Sequence, residues 1–194
     1  MSNRKKGALF VISAPSGTGK STVVQRLLAS LPELVHSISC TTRSPRRGER
    51  QGIEYDFMSD EEFRRREQQG YFLESAEVHG AYYGTPRQFI LDAIASGKGV
   101  LLDIDVQGGM AVKQTHPEAL TIFLLPPSLE TLEVRLKVRA TDDPDQVRLR
   151  LENAKKELAY QSRYDYRILN DDLEKAVESV RRLIVKHLQG TTTS

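Results

Sequence analysis

The chain has 194 residues, of which 39% are hydrophobic and 28% charged, with a formal net charge of +2. This composition excludes a disordered polar chain, and so small a surplus of positive charge does not point to nucleic acid as a partner. No apolar run approaches the roughly 18 residues of a membrane span, and Cys40 is the only cysteine, so no disulfide can form within the chain. One cytoplasmic domain with room for insertions is expected, with no membrane partner.

Taken in chain order, the basic residues 1–7 are followed by only five apolar residues before Ser13 and Pro15, too few for the apolar region of a signal peptide. Residues 8–13 read as a buried strand and residues 21–31 as the helix after it, ended by Pro32. Residues 35–96 break the rhythm. Alternating, turn-rich pieces at 53–58, 72–78 and 82–84 surround a charged helix at 60–69, which predicts a small inserted mixed α+β subdomain. After Ser96-Gly97 a second buried strand covers 99–105, with a helix near 107–114. A third strand at 121–125 stops at Pro126-Pro127. Residues 139–150 are polar, with Asp-Asp-Pro as a turn and helix-start signal, and read as a mobile flap leading into a long helix to about 162. A fourth strand at 166–169 precedes Asn170-Asp171-Asp172, which caps a last helix to about 188. Strands alternating with helices predict a three-layer α/β core around a parallel sheet. The core is expected over 1–34, 97–138 and 163–194, the insertion over 35–96 and a helical lid over 139–162.

Between the first strand and helix stands Ser13-Ala-Pro-Ser-Gly-Thr-Gly-Lys-Ser-Thr22. It matches the phosphate-binding loop G-x-x-x-x-G-K-[ST] except at the first letter, where Ala14 replaces glycine. In such a loop several backbone N–H groups curl around phosphates, and the helix adds its positive N-terminal dipole. Gly17 and Gly19 allow conformations that a Cβ forbids. Lys20 reaches the β- and γ-phosphates, and the Ser21 hydroxyl, with Thr22 beside it, is placed for Mg²⁺. Ala14 precedes the curl, where a methyl is tolerable at negative φ. The rival reading, an ordinary strand–turn–helix, does not explain Gly-Lys-Ser-Thr in phase with both elements.

Asp103 and Asp105 close the second strand at the carboxyl edge of the sheet, beside the loop. They could hold Mg²⁺ through water or anchor a second substrate; the plainer alternative is that one of them caps the following helix. Arg43, Arg46 and Arg47, with Tyr55 soon after, supply forked donors and a phenol enough for one monophosphate. Beyond them, Glu74, Tyr82, Tyr83 and Thr85 offer a carboxylate, phenols and a hydroxyl. Guanine presents N1–H and N2–H₂ donors side by side, which one carboxylate accepts together, while its O6 suits a hydroxyl such as Ser39 or Thr85. Adenine has no N1 proton and would leave that carboxylate unpaired, the kind of mismatch that discriminates strongly in a buried site.

SAPSGTGKS, TTRSPRRGE, GIEYDF, FLESAEVHGAYYGT, LLDIDVQG, LPPS and ILNDDL together resemble the guanylate kinases, in order and spacing, over about residues 8–188. Members of that family often carry Ala or Gly at the Ala14 position. The resemblance implies a P-loop NTPase fold and phosphoryl transfer from ATP to GMP or dGMP with Mg²⁺, on Ser21 and, through water, Asp103 or Asp105. It implies that Ala14, Pro15, Ser16, Gly17, Thr18, Gly19, Lys20, Ser21 and Thr22 hold ATP phosphates, with Arg135 and Asn170 completing the ATP site. Arg43, Arg46, Tyr55 and Tyr83 would hold the GMP phosphate; Ser39, Glu74, Thr85 and Asp103 would read guanine. Lys20, Arg43, Arg139 and Arg150 would carry catalysis, the last two closing with Arg135 onto the transferring group. Two positions depart from the family pattern: Ala140 where glycine is usual, and Arg47 where a smaller residue is common. No side-chain nucleophile is needed, because the attacking group is a phosphate anion. Rival expectations are a kinase of another phosphorylated acceptor such as ribose 1,5-bisphosphate, or a non-catalytic binding module of the same fold. The residues give no oligomeric state.

Overall fold

The structure is a computed structural model that describes residues 7–46, 48–78, 80–139 and 144–190, without the side chains of 138, 139 and 144–146. Five strands form the larger sheet: β1 (Ala8–Ser13), β2 (Leu34–His36), β7 (Gly99–Asp103), β8 (Leu120–Leu125) and β9 (Tyr166–Leu169). All neighbours are parallel, in the order β2-β7-β1-β8-β9. Every residue of β1 is buried, which explains its unbroken apolar run: a central parallel strand is covered on both faces.

Helices α1 (Lys20–Ser30) and α7 (Leu173–Gly190) cover one face, where Phe10, Ile12 and Ile122 meet Val23, Leu27, Val180 and Ile184. Their opposite numbers are α3 (Arg87–Ala95) and α4 (Val106–Thr115), whose Ile90, Ala93 and Val112 pack on Leu9, Val11 and Val100. In α7 the buried residues Ala176, Val180, Ile184 and Leu188 recur every four positions, giving one apolar stripe against the sheet. The three-layer core predicted from the sequence is therefore observed. Strand β2 was not foreseen: its three residues at the sheet edge carry no period that a sequence alone displays.

The second sheet, of mixed direction, runs β4 (Asp56–Phe57), β3 (Cys40–Thr41), β6 (Ala81–Pro86), β5 (Phe72–Val78). Helix α2 (Asp60–Gln68) lays Phe63 on it, stacked against Phe72 at 4.5 Å and Tyr82 at 5.6 Å. Ser59 caps α2 by accepting from the Glu62 N–H at 3.2 Å, and Asp60, Glu61 and Glu62 favour its positive end. Of the expected piece at 53–58 only Asp56 and Phe57 pair as strand.

Helices α5 (Leu129–Arg139) and α6 (Pro144–Leu158) form a third group with its own small core of Leu132, Leu136, Val147 and Ala154. Residues 144–150, read from sequence as part of a flap, are the first turns of α6, and that helix stops at Leu158 rather than 162. Pro144 stands at its first position, where the missing N–H is no loss. Among the described residues no helix is long and apolar enough to cross a membrane.

Candidate active site

The loop after β1 turns on two residues in left-handed conformation, Gly17 (φ 89°) and Gly19 (φ 95°), as expected of a backbone that must wrap an anion. There is no room for side chains either: a Cβ on Gly19 would lie 2.9 Å from Asn170 Nδ2. Ala14 is buried in the core beneath the loop, and Pro15, Gly17 and Thr18 are buried with it, while Ser16, Ser21 and Thr22 are exposed. The loop is braced from behind. Asn170 Nδ2 donates to the Thr18 carbonyl at 2.7 Å, and Arg135 Nη1 donates to the same oxygen at 3.3 Å. Gly17, Gly19, Thr22, Arg135 and Asn170 line an open cleft of about 960 Å³.

On the other side of Lys20 lies a second cleft of about 580 Å³, lined by Ser39, Tyr55, Glu74, Tyr83, Asp103 and Lys20 itself. Lys20 Nζ sits 2.5 Å from Asp103 Oδ1 and donates to the Ile104 carbonyl at 3.0 Å. Burial works against the ammonium charge, yet Asp103, with Tyr55 and Asp105 adding, holds its pKa above the ordinary lysine value. Asp105 acts differently: its Oδ1 accepts the Gly108 N–H at 2.7 Å and caps α4. The two carboxylates that the sequence could not tell apart both line this cleft but differ in partner, Asp103 pairing with Lys20 and Asp105 capping α4.

Glu74 is buried, and Thr85 donates its hydroxyl to Glu74 Oε1 at 2.5 Å. Burial pushes the Glu74 carboxyl up to about 7, although the Thr85 bond works the other way. Register explains the pairing, since Glu74 of β5 lies opposite Thr85 of β6. Farther out, Arg43 is held by Glu49, Nη1 and Nη2 donating to its two oxygens at 2.6 and 2.8 Å. The guanidinium stacks 4.9 Å over the Tyr55 ring, whose centroid lies 5.9 Å from that of Tyr83. Glu49 lifts the Arg43 pKa further, and Arg43 lowers that of Glu49. Arg46 is exposed, its backbone N–H on Glu49 at 2.8 Å. Arg47 and Ala140, and the side chain of Arg139, lie outside the described residues. Arg150 stands on α6, partly buried.

The structure thus gathers Lys20, Ser39, Tyr55, Glu74, Tyr83 and Asp103 around one cleft, with Thr85 bonded to Glu74 and Arg43 stacked on Tyr55, and sets Arg135 and Asn170 in the other. Two residues escaped the sequence reading. Glu49 closes the TTRSPRRGE run and could have been found there as the counter-charge to Arg43. Glu157 lies two turns beyond Arg150 on α6 and faces the Ser16 N–H of the loop. Its Oε2 is buried without a hydrogen-bond partner, and burial, with Asp105 nearby, pushes its carboxyl up to about 7. Among the described residues no group of three or more His, Cys, Asp or Glu is placed to hold a metal.

A parallel sheet with a phosphate-binding loop at its carboxyl edge and a second polar cleft across the loop lysine defines a P-loop NTPase fold with two facing sites. Residues 6–187 match the family model described as guanylate kinase. The guanylate kinase of Caldanaerobacter subterraneus subsp. tengcongensis is 46% identical over 185 residues, covering 95% of this chain and 90% of that protein. The guanylate kinase of Myxococcus xanthus is 46% identical, covering 92% and 86%. The crystal structure of guanylate kinase from Anaplasma phagocytophilum superposes with a TM-score of 0.81 at 33% identity, covering 97% of this chain and 89% of that one. The chain belongs to the guanylate kinase family.

Proposed function

We propose that the protein transfers the γ-phosphoryl group of ATP to GMP, giving ADP and GDP, and accepts dGMP in the same way. The observation that carries the reading is the Glu74 carboxylate, buried beside Lys20 and positioned by the Thr85 hydroxyl that donates to it, an acceptor suited to guanine's N1–H and N2–H₂. Ser39 and Asp103 complete that surface. The GMP phosphate is held by Arg43, Arg46, Tyr55 and Tyr83. Glu49 occupies the end-on donors of Arg43, which leaves the Nε–Nη2 edge for a phosphate.

The loop residues 14–22 cradle the ATP phosphates, with Arg135 and Asn170 at the donor cleft. Ser21, exposed on the first turn of α1, would give its hydroxyl to Mg²⁺, with Asp103 or Asp105 reaching the ion through water. When bound, magnesium neutralises charge on the β- and γ-phosphates. Lys20, Arg43, Arg139 and Arg150 stabilise the charge that develops as the GMP oxygen attacks in line. The unit of residues 35–96 and the lid of residues 139–162 close over both nucleotides and exclude water, which would otherwise hydrolyse ATP. A cytoplasmic setting suits both nucleotides.

The test is ADP formation with ATP and Mg²⁺, offering GMP, AMP, UMP and CMP in turn, beside Glu74→Ala and Lys20→Ala. Turnover confined to GMP and lost in both variants is expected. Absence of turnover with every nucleoside monophosphate would sink the reading and turn attention to a sugar phosphate or a binding role.

A further inference from the structure

We propose that Gly108, on the first turn of α4, is a specificity-determining position that keeps the carboxylate of Glu74 where guanine meets it. The inference rests on the GMP reading above. A Cβ built on Gly108 would lie 2.7 Å from Glu74 Oε2 and 3.2 Å from its carboxyl carbon, closer than a real Cβ approaches such atoms. Gly108 is itself buried, and its φ is ordinary, so its backbone does not demand glycine. A glycine inside a helix weakens it relative to alanine. The space where a Cβ would stand is filled by the Glu74 carboxylate, with the cap atom Asp105 Oδ1 next at 3.3 Å.

The carboxylate is therefore set from two sides. Thr85 holds Oε1 through its hydroxyl, and the backbone of α4 at Gly108 stands against Oε2. The helix is fixed in turn by Asp105, whose Oδ1 takes the Gly108 N–H. A methyl at 108 displaces Glu74 towards the cleft it lines, while the donor cleft, lined by Gly17, Gly19 and Arg135, lies away from α4. The neighbouring Gly109 serves a different purpose: a Cβ there would meet Tyr164 Oη at 2.5 Å and Ser13 Oγ at 2.9 Å. It lets α4 pack closely on β1, with Tyr164 and Ser13 rather than Glu74 nearest.

The experiment compares KM for GMP, for ATP and for IMP, which lacks the N2 amino group, in the wild type, Gly108→Ala and Gly109→Ala. Gly108→Ala is expected to raise KM for GMP about tenfold, to leave KM for ATP within about twofold, and to shrink the preference for GMP over IMP. Gly109→Ala is expected to lower the thermal midpoint without moving that preference. An unchanged KM for GMP in Gly108→Ala, or equal rises for GMP and ATP, overturns the proposal. Should Gly108→Ala fail to fold, the pair Gly108→Ala with Glu74→Asp, one methylene shorter, must fold, and its failure also overturns it. A wild type inactive on GMP would instead sink the functional reading.

Discussion

Lys20 and Asp103 form an ion pair 2.5 Å long that joins the phosphate loop to the acceptor cleft. The loop lysine is thus turned towards the side on which guanine is proposed to bind. Guanine binding at Asp103 would loosen this pair and return Lys20 to the loop, so the two nucleotides should bind with positive coupling.

Substitutions here should separate stability from activity. Lys20→Met or Asp103→Asn alone leaves one partly buried charge unpaired and should cost about 2 kcal/mol in urea unfolding. The double variant should regain most of that while remaining inactive, since Lys20→Met alone removes about a thousandfold of kcat. Simple additivity of the two stability losses would contradict the pair.

Glu74 makes GMP binding depend on pH. Its carboxyl stands at about 7 in the fold against an ordinary 4.5. An acid with a raised pKa favours the fold fully below pH 4.5, and that contribution fades as pH rises through 7, by about 3 kcal/mol at most. Glu74→Gln should therefore be more stable than wild type at pH 8 and no more stable at pH 4. Guanine needs the ionised form, so calorimetry near pH 7 should find proton release on GMP binding that Glu74→Gln lacks. Equal release in both proteins would remove Glu74 from the guanine site.

Glu157 should oppose the donor nucleotide. Its carboxyl faces the Ser16 N–H that a phosphate is expected to use, and an ionised Glu157 there repels polyphosphate. Glu157→Gln should lower KM for ATP a few-fold at pH 8, with little change at pH 6, where wild-type Glu157 is largely neutral already. A rise in KM at both pH values would show instead that the carboxylate helps to build the site.

Glu49 should act on GMP alone. It fixes the direction of Arg43 through two charged bonds, and a glutamine keeps only one acceptor. Glu49→Gln should raise KM for GMP several-fold, lower kcat as far as Arg43 serves the transfer, and leave KM for ATP within about twofold. A loss in kcat with unchanged KM would assign Glu49 to the transfer step.

The parts legible in the sequence are those governed by local physics. Strands β1, β7 and β8 announce themselves as apolar runs bounded by glycine or proline, β9 by the Asn-Asp-Asp run that follows it, and the phosphate loop by glycines in phase with a strand and a helix. Strands β2, β3 and β4 are two or three residues long and exist only because a neighbour offers hydrogen bonds. The same holds in the site. Lys20, Glu74 and Thr85 could be named from residue type and spacing. Which of Asp103 and Asp105 pairs with Lys20 and which caps a helix depends on where α4 starts, and Glu157 reaches the loop through the docking of α6, whose Leu158 packs against Val106, Phe123 and Tyr164. Cys40 is buried beside Asp56, and burial raises its pKa to about 12.

The stack of Phe63 between Phe72 and Tyr82 gives the smaller sheet a hydrophobic centre separate from that under β1. Amide hydrogens of β3, β5 and β6 should therefore exchange through a partial opening that leaves the parallel sheet intact. GMP, touching both units, would stitch them into a single cooperative block, and the slowing of exchange in the smaller sheet would report its occupancy without any chemistry taking place.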